Sequence, residues 1–194
     1  MSGKLVTTGV LIAGLVAGAA SGWYTLQRGM VQGEVYSGWS GSKVTGSVDA
    51  DPWTRARVAV SGLLALNKSQ AIYFSRNTDD SGARLREDCR YRVTGGVLPA
   101  RWWSITVYAA DNYLPLNDDD ALSFDQTEAQ PDGKSEWTGI LSPIRPDGQP
   151  WASTSKAGNY DITLRLYQPT PQAQADYAAI PMPKVTKLDC GGAA

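Results

Sequence analysis

The sequence CRYRVTGGVLPARWWSITVY, residues 89–108, is the stretch from which the fold is most readily predicted. Two runs of alternating apolar and polar residues flank a glycine- and proline-containing corner, a pattern typical of two antiparallel strands. In the second run Trp103, Ile105 and Val107 lie on one face and are expected to be core. The other face is mixed and consists of Trp102, Ser104, Thr106 and Tyr108.

The rest of the chain predicts a mostly β fold. Further runs of strand type are separated by turns rich in Gly, Pro and Asp, and they lie at residues 71–76, 85–94, 121–127, 136–141 and 160–167. Their number and spacing are typical of a β-sandwich. One short helix is predicted before them, because Asp51 is a good N-cap, Pro52 suits the first helical position, and apolar residues recur to about Leu66.

Composition excludes several classes of function. The chain has 194 residues and no histidine, so Ser-His-Asp and Cys-His catalysis and every His-ligated metal site are excluded. The net charge of -1 gives no electrostatic reason to expect nucleic acid as a partner. The acidic run at residues 117–120 lacks the glycine and final glutamate of a calcium loop. We interpret it as a solvated turn, with a weak calcium site as the alternative, and we expect no catalytic residue, cofactor or metal.

The sequence contains two cysteines, Cys89 and Cys190. They could form a disulfide, a two-thiolate metal site completed by carboxylates, or a reactive thiol without a histidine base. In an oxidising compartment the disulfide is favoured. It would fasten the proline-rich tail, which is expected to wrap over the surface beyond Pro169, to residues 89–108.

The N-terminal segment is long and apolar enough to cross a membrane. Residues 5–27 carry no charged side chain and would form a helix of about 34 Å. We predict a transmembrane anchor over residues 1–28, with a cleaved signal peptide as the main alternative. Three glycines four residues apart could pack against a partner transmembrane helix or a membrane protein complex. They are Gly14, Gly18 and Gly22.

The domain organisation follows from these segments. Residues 29–47 are rich in glycine and serine and are predicted to be a flexible linker, with a short strand at Glu34–Tyr36. Residues 48–194 are predicted to be the β-sandwich domain. Because the cysteine pair favours an exported domain, we expect an inner-membrane, single-pass protein whose C-terminal domain is periplasmic. After signal cleavage it would instead be secreted to the periplasm.

Two other predicted strands also carry a mixed face. One presents Arg90, Arg92 and Thr94, and the other presents Thr163, Arg165 and Tyr167. If these strands are neighbours of residues 101–108, their hydroxyls, aromatic rings and arginines would suit a small polar or anionic ligand. The candidate ligand-binding residues are Trp102, Ser104, Thr106, Tyr108, Arg92 and Arg165. A solvated outer face whose arginines pair with carboxylates is the favoured interpretation, because alternation alone produces such faces, and the ligand-binding face is the alternative.

Three blocks of sequence, in order, resemble the domain-of-unknown-function family 1214: AIYFSRNTDDSGARL, CRYRVTGGVLPARWWSITVYAADNYL and GNYDITLRLYQP. The resemblance implies an antiparallel, jelly-roll-like β domain, and the chain looks like a short, single-domain, membrane-anchored form. Longer relatives usually carry an Asn-Trp-Leu-Pro motif before the last strand, where this chain has Gln149-Pro150-Trp151-Ala152. The family name records no activity, so the resemblance implies no catalytic residue.

These observations favour a non-catalytic binding or interaction module held at the membrane. The alternative is a hydrolase or carbohydrate-active enzyme that uses Asp and Glu carboxylates in place of histidine. That alternative predicts a cleft that holds two carboxyl groups with pKa values shifted in opposite directions.

Overall fold

The structure is a computed structural model that describes residues 2–27, 33–60, 66–130 and 133–191. The helices are α1 (Ser2–Gln27), α2 (Pro52–Val60), α3 (Gln126–Ala129) and α4 (Pro171–Ala175), with a 3-10 turn at Tyr177–Ala179. The described strands are β1 (Glu34–Tyr36), β2 (Trp39–Gly41), β3 (Ala71–Arg76), β4 (Cys89–Gly95), β5 (Ala100–Tyr108), β6 (Ser123–Asp125), β7 (Trp137–Ser142), β8 (Trp151–Ser153), β9 (Asp161–Pro169) and β10 (Lys184–Cys190).

The strands form two sheets. The larger has the order β1-β2-β3-β9-β5-β6, and the smaller has the order β10-β4-β7-β8. The predicted mostly β fold is therefore confirmed. One pair departs from the antiparallel expectation, because β7 and β8 run parallel with Ile140 opposite Trp151. The jelly-roll description stays a prediction.

The hydrophobic core lies between the two sheets. Trp103 of β5 is 1% exposed and packs against Trp137 of β7, with ring centres 4.2 Å apart. Ile105 and Val107 are also buried, which confirms the predicted core face. Gly139 of β7 allows close packing here, since an added Cβ would lie 2.4 Å from the Phe124 ring.

The strand directions define two ends of the sandwich. The helix end holds α2 and the corner at residues 96–99, while Glu34, the start of β1, lies level with Ile105 near the middle of the strands. The disulfide end holds Cys89, Cys190 and the turns at residues 77–86 and 109–120. A strand of nine residues, such as β5, separates the two ends by about 30 Å.

Two predicted segments differ from what the structure shows. The short strand predicted at Glu34–Tyr36 is β1, but the predicted flexible linker also contains β2, which pairs with β1 and with β3 of the larger sheet. Part of the proline-rich tail forms the edge strand β10, which pairs with β4. The connection between α1 and β1 is therefore only residues 28–33.

Helix α2 begins where the sequence predicts. The Asp51 carboxylate accepts hydrogen bonds from the backbone N–H groups of Trp53 and Thr54, at 2.9 and 3.1 Å, so it caps the helix. The predicted continuation of the helix over residues 61–65 lies outside the described residues.

Candidate functional site

Five of the six predicted ligand-binding residues share the outer face of the larger sheet. Four lie on β5, and Arg165 lies on the neighbouring strand β9, opposite Ser104. Tyr167 lies opposite Trp102, and Tyr73 of β3 lies opposite Arg165. We call this surface the aromatic–arginine face, and it consists of Tyr73, Trp102, Ser104, Thr106, Tyr108, Thr163, Arg165 and Tyr167.

The sixth predicted residue, Arg92, does not belong to this group. It lies on β4 in the smaller sheet, between Thr186 and Ile140 of the adjacent strands. Its alternation was interpreted correctly, and it does point away from the core. However, β4 is not hydrogen-bonded to β5 or β9, so Arg92 faces the opposite side of the sandwich.

Arg165 lies at the centre of the aromatic–arginine face and is half-buried. Its guanidinium donates hydrogen bonds to the Thr106 hydroxyl at 2.8 Å and to the Tyr108 hydroxyl. The guanidinium carbon lies 5.5 Å from the centre of the Tyr108 ring, a cation–π distance. No carboxylate among the described residues lies within 4.0 Å of it. By contrast, Arg76 lies 2.8 Å from the Asp80 carboxylate.

An aromatic pair flanks this arginine. The rings of Trp102 and Tyr167 have centres 5.2 Å apart, and both side chains are half-buried. The Trp102 indole N–H donates to the Thr127 hydroxyl of α3 at 3.1 Å, which fixes the ring orientation. Since Tyr167 and Arg165 are two residues apart on one strand, the aromatic pair lies about 7 Å along the sheet from the guanidinium.

Tyr73 lies on the β3 side of Arg165. Its hydroxyl accepts a hydrogen bond from the Leu66 backbone N–H at 2.9 Å. Burial raises the pKa of Tyr73, partly offset by that hydrogen bond, so its hydroxyl keeps its proton at neutral pH. Beside it the hydroxyls of Ser75 and Thr163 lie 3.3 Å apart.

Sequence reasoning omitted Tyr73, Thr163 and Tyr167 from the candidate set. The alternation in residues 71–76 places the side chain of Tyr73 on the other face of the strand from Ile72 and Phe74. The orientation of Tyr73 could therefore be predicted from the sequence. What the pattern lacks is the identity of the neighbouring strand. Only the pairing of β3 with β9 brings Tyr73 to Arg165.

The predicted disulfide is present. Cys89 and Cys190 are bonded and lie directly opposite each other on β4 and β10. The bridge therefore fastens an edge strand of the smaller sheet, on the side of the molecule away from the aromatic–arginine face.

The acidic run at residues 117–120 forms an exposed turn. Asp118, Asp119 and Asp120 are exposed in a turn at the disulfide end, where Asp119 accepts a hydrogen bond from Ser153 at 2.5 Å. Within the described ranges no group of three or more His, Cys, Asp or Glu side chains is placed to hold a metal ion.

Among the described carboxyl groups, Glu128 has a raised pKa, and Asp51 and Asp79 have lowered pKa values, that of Asp51 through hydrogen bonds from Thr54. Burial, with a further contribution from nearby Asp125, raises the pKa of Glu128. Burial acts to raise the pKa of Asp79, but hydrogen bonds from Ser81 and Ala83 outweigh it and lower that pKa. Asp79 lies at the disulfide end, and Asp51 caps α2 between β2 and β3, whereas Glu128 follows β6 at the other edge of the larger sheet, so neither lowered group is placed beside Glu128.

Helix α1 is apolar and exposed. Its segment Val6–Tyr24 is long and apolar enough to cross a membrane, a property that a signal sequence near an N-terminus shares. Gly14 and Gly18 are exposed, and an added Cβ at either would contact no neighbouring atom within 4 Å. Packing of these glycines and Gly22 against a partner helix stays a prediction.

Fold and surface together define a two-sheet β domain preceded by a single apolar helix. The sequence profile of the family described as "Protein of unknown function (DUF1214)" matches residues 70–171, which is more than half of the chain. The chain belongs to this family, as its three sequence blocks predict. No curated protein matches it.

One solved structure shows a similar fold. The crystal structure of the VPA0106 protein from Vibrio parahaemolyticus superposes with a TM-score of 0.58 at 20% identity, over 73% of this chain. The match covers 36% of the VPA0106 chain, so the present chain spans about a third of that protein's length. An uncharacterised protein from Burkholderia cenocepacia matches at 14% identity and a TM-score of 0.44, over 61% of this chain and 30% of its own.

Proposed function

We propose that this protein is a non-catalytic binding module that α1 holds at the inner membrane, with its β domain in the periplasm. Its ligand is a small anion that binds on the aromatic–arginine face. The observation that carries this proposal is Arg165, which is half-buried and has no carboxylate of the described residues within 4.0 Å. A buried cation normally has a compensating charge, and a bound anion would supply it.

The geometry supports a particular kind of anion. A guanidinium has five N–H donors, and Arg165 uses two of them on the Thr106 and Tyr108 hydroxyls. The remaining donors suit a carboxylate or phosphate group. The rings of Trp102 and Tyr167, about 7 Å away along the sheet, would contact the body of the same ligand. An acidic sugar satisfies both requirements.

The cellular placement is supported by two independent features. The segment Val6–Tyr24 has the length and composition of a membrane span, and Trp23 and Tyr24 are exposed at its end, where interfacial aromatic residues occur. The Cys89–Cys190 bridge suits an oxidising compartment, which for a bacterial inner-membrane protein is the periplasm.

Titration calorimetry on the detergent-solubilised full chain tests the ligand proposal. D-glucuronate serves as the anionic probe and D-glucose as its neutral counterpart. We expect glucuronate to bind more tightly, and Arg165→Met to weaken it about tenfold or more, since a hydrogen bond to a charged group contributes about 1.5–3 kcal/mol.

Arg92→Met is the matched control, because it removes an arginine from the outer face of the smaller sheet. It should leave glucuronate affinity unchanged. Equal affinities for glucuronate and glucose, or equal losses in the two variants, would contradict the proposal.

A further inference from the structure

We infer that the helix end of the domain lies on the bilayer that α1 crosses, with residues 42–50 and α2 in contact with the lipid headgroup region. This inference rests on the proposed membrane anchor and adds to it a lipid-binding surface on the β domain itself. The surface includes Val48 and Trp53.

The short connection to α1 limits how far the β domain can be from the membrane. Seven residue steps separate Gln27, the end of α1, from Glu34, the start of β1. A fully extended chain of that length spans about 25 Å. Because Glu34 lies level with Ile105 near the middle of the strands, this connection keeps the domain close to the membrane, and the position of α2 determines which end faces it.

Helix α2 lies close to the anchor helix itself. Cα atoms of α1 and α2 approach within 8 Å of each other. Because α1 carries the membrane span, its approach to α2 places α2 near the bilayer. The position of α2 in the chain, between β2 and β3, keeps it at the helix end.

Four exposed apolar side chains lie on this surface. Val48 is 76% exposed and Trp53 is 43% exposed, and Val44 and Leu66 are also exposed. Tryptophan beside aliphatic residues and cations is the composition of helices that lie in the interfacial plane of a bilayer. The loop and α2 border an open groove of about 670 Å³, lined by Val48, Val58 and Leu66 among others.

The charge of the segment suits an anionic lipid surface. Residues 42–70 contain four basic and two acidic side chains, whereas the whole chain has a net charge of -1. Each Lys or Arg near an anionic bilayer contributes about 1 kcal/mol of attraction. Arg55 also donates hydrogen bonds to the carbonyl groups of Ala50 and Val48, at 2.8 Å each, which joins the loop and the helix into one surface.

A fluorescence experiment on the full chain tests this inference. The protein is reconstituted in vesicles of phosphatidylethanolamine and phosphatidylglycerol with brominated acyl chains, which quench fluorophores in contact with lipid. An environment-sensitive dye is attached in turn to Val48→Cys, Ile12→Cys and Leu116→Cys. Leu116 is 87% exposed at the disulfide end, so it is the control for a solvent-exposed apolar position.

We expect quenching at residues 12 and 48 and none at residue 116. Quenching at 12 without quenching at 48 would overturn the inference while leaving the anchor intact. Absence of quenching at 12 would overturn the proposed anchor and the inference with it.

A second labelling site controls for a local effect of the dye at residue 48. Val44→Cys lies on the same surface and should be quenched as residue 48 is, and Trp53→Ser should weaken the quenching at residue 44. Unquenched dye at residue 44 in a protein that is quenched at residue 12 would also overturn the inference.

Discussion

The outer faces of the two sheets differ although their sequences follow the same pattern. Both β4 and β9 alternate apolar residues with arginine and threonine. On the smaller sheet Arg92 is exposed, and Arg90 lies 3.4 Å from the exposed carboxylate of Asp189. On the larger sheet Arg165 is half-buried beside aromatic rings and without a carboxylate partner among the described residues. Alternation thus places a side chain on a face, whereas the neighbouring strands determine what that face can bind.

The energetic consequence also differs between the two faces. An exposed ion pair such as Arg90–Asp189 contributes between about 0 and 1 kcal/mol, because solvent screens it. A half-buried guanidinium interacts more strongly with an anion, since less water competes for its N–H groups. Experiments should therefore test whether Arg165 and Arg92 differ in how strongly they interact with an anion.

The largest expected effect concerns the stability of the smaller sheet. Replacing both Cys89 and Cys190 by alanine should lower the free energy of unfolding by up to about 4.7 kcal/mol, because the bridge closes a loop of about 100 residues. Urea denaturation of the full chain in detergent measures this loss.

Hydrogen exchange would show which strands become less stable when the disulfide is removed. Amides of β10 should lose protection first, while those of β9 in the larger sheet remain protected. Equal loss of protection in β9 and β10 would mean that the sheets do not respond as separate units.

A smaller effect is expected at alkaline pH at the edge of the larger sheet. Tyr177 is buried and packs edge-on against Phe74 of β3, with ring centres 5.0 Å apart, and burial raises the pKa of Tyr177 to about 12. The folded state thus holds this proton more tightly than the unfolded state, whose tyrosine pKa is about 10. The stabilisation is complete below pH 10 and is lost as the pH rises from 10 to 12, by at most about 3 kcal/mol.

Tyr177→Phe checks this prediction, because the variant cannot ionise at that position. The free energy of unfolding, measured between pH 8 and 11.5, should fall less steeply above pH 10 in the variant than in the unmodified protein. Identical slopes would show that the Tyr177 hydroxyl ionises equally readily in both states.

The core face and the disulfide could be predicted from sequence because each depends on local chemistry. Burial of Trp103, Ile105 and Val107 follows from alternation, and the bridge follows from two cysteines and no histidine. The position of Arg92 could not be predicted, because a two-residue period contains no information about which strand lies alongside. For the same reason Tyr73 was absent from the candidate set.

Strand β2 (Trp39–Gly41) was missed for a different reason. Glycines in that region were interpreted as flexibility, but Gly41 is buried against Phe74 of β3, and an added Cβ would lie 2.4 Å from its ring. A glycine required by close packing has the same appearance in sequence as a glycine in a linker. The parallel pairing of β8 with β7 was also missed, since the Pro- and Gly-rich residues 143–150 predict only a turn.

The central claim is that the larger sheet binds the ligand and the smaller sheet does not. Nuclear magnetic resonance of the 15N-labelled full chain in detergent tests it directly, by following backbone amides and the indole N–H of Trp102 during a titration with D-glucuronate. The account predicts shifts at Trp102 and at β5 and β9, with β4 and β10 unchanged. Shifts concentrated around Arg90 and Arg92, or spread equally over both sheets, would contradict it.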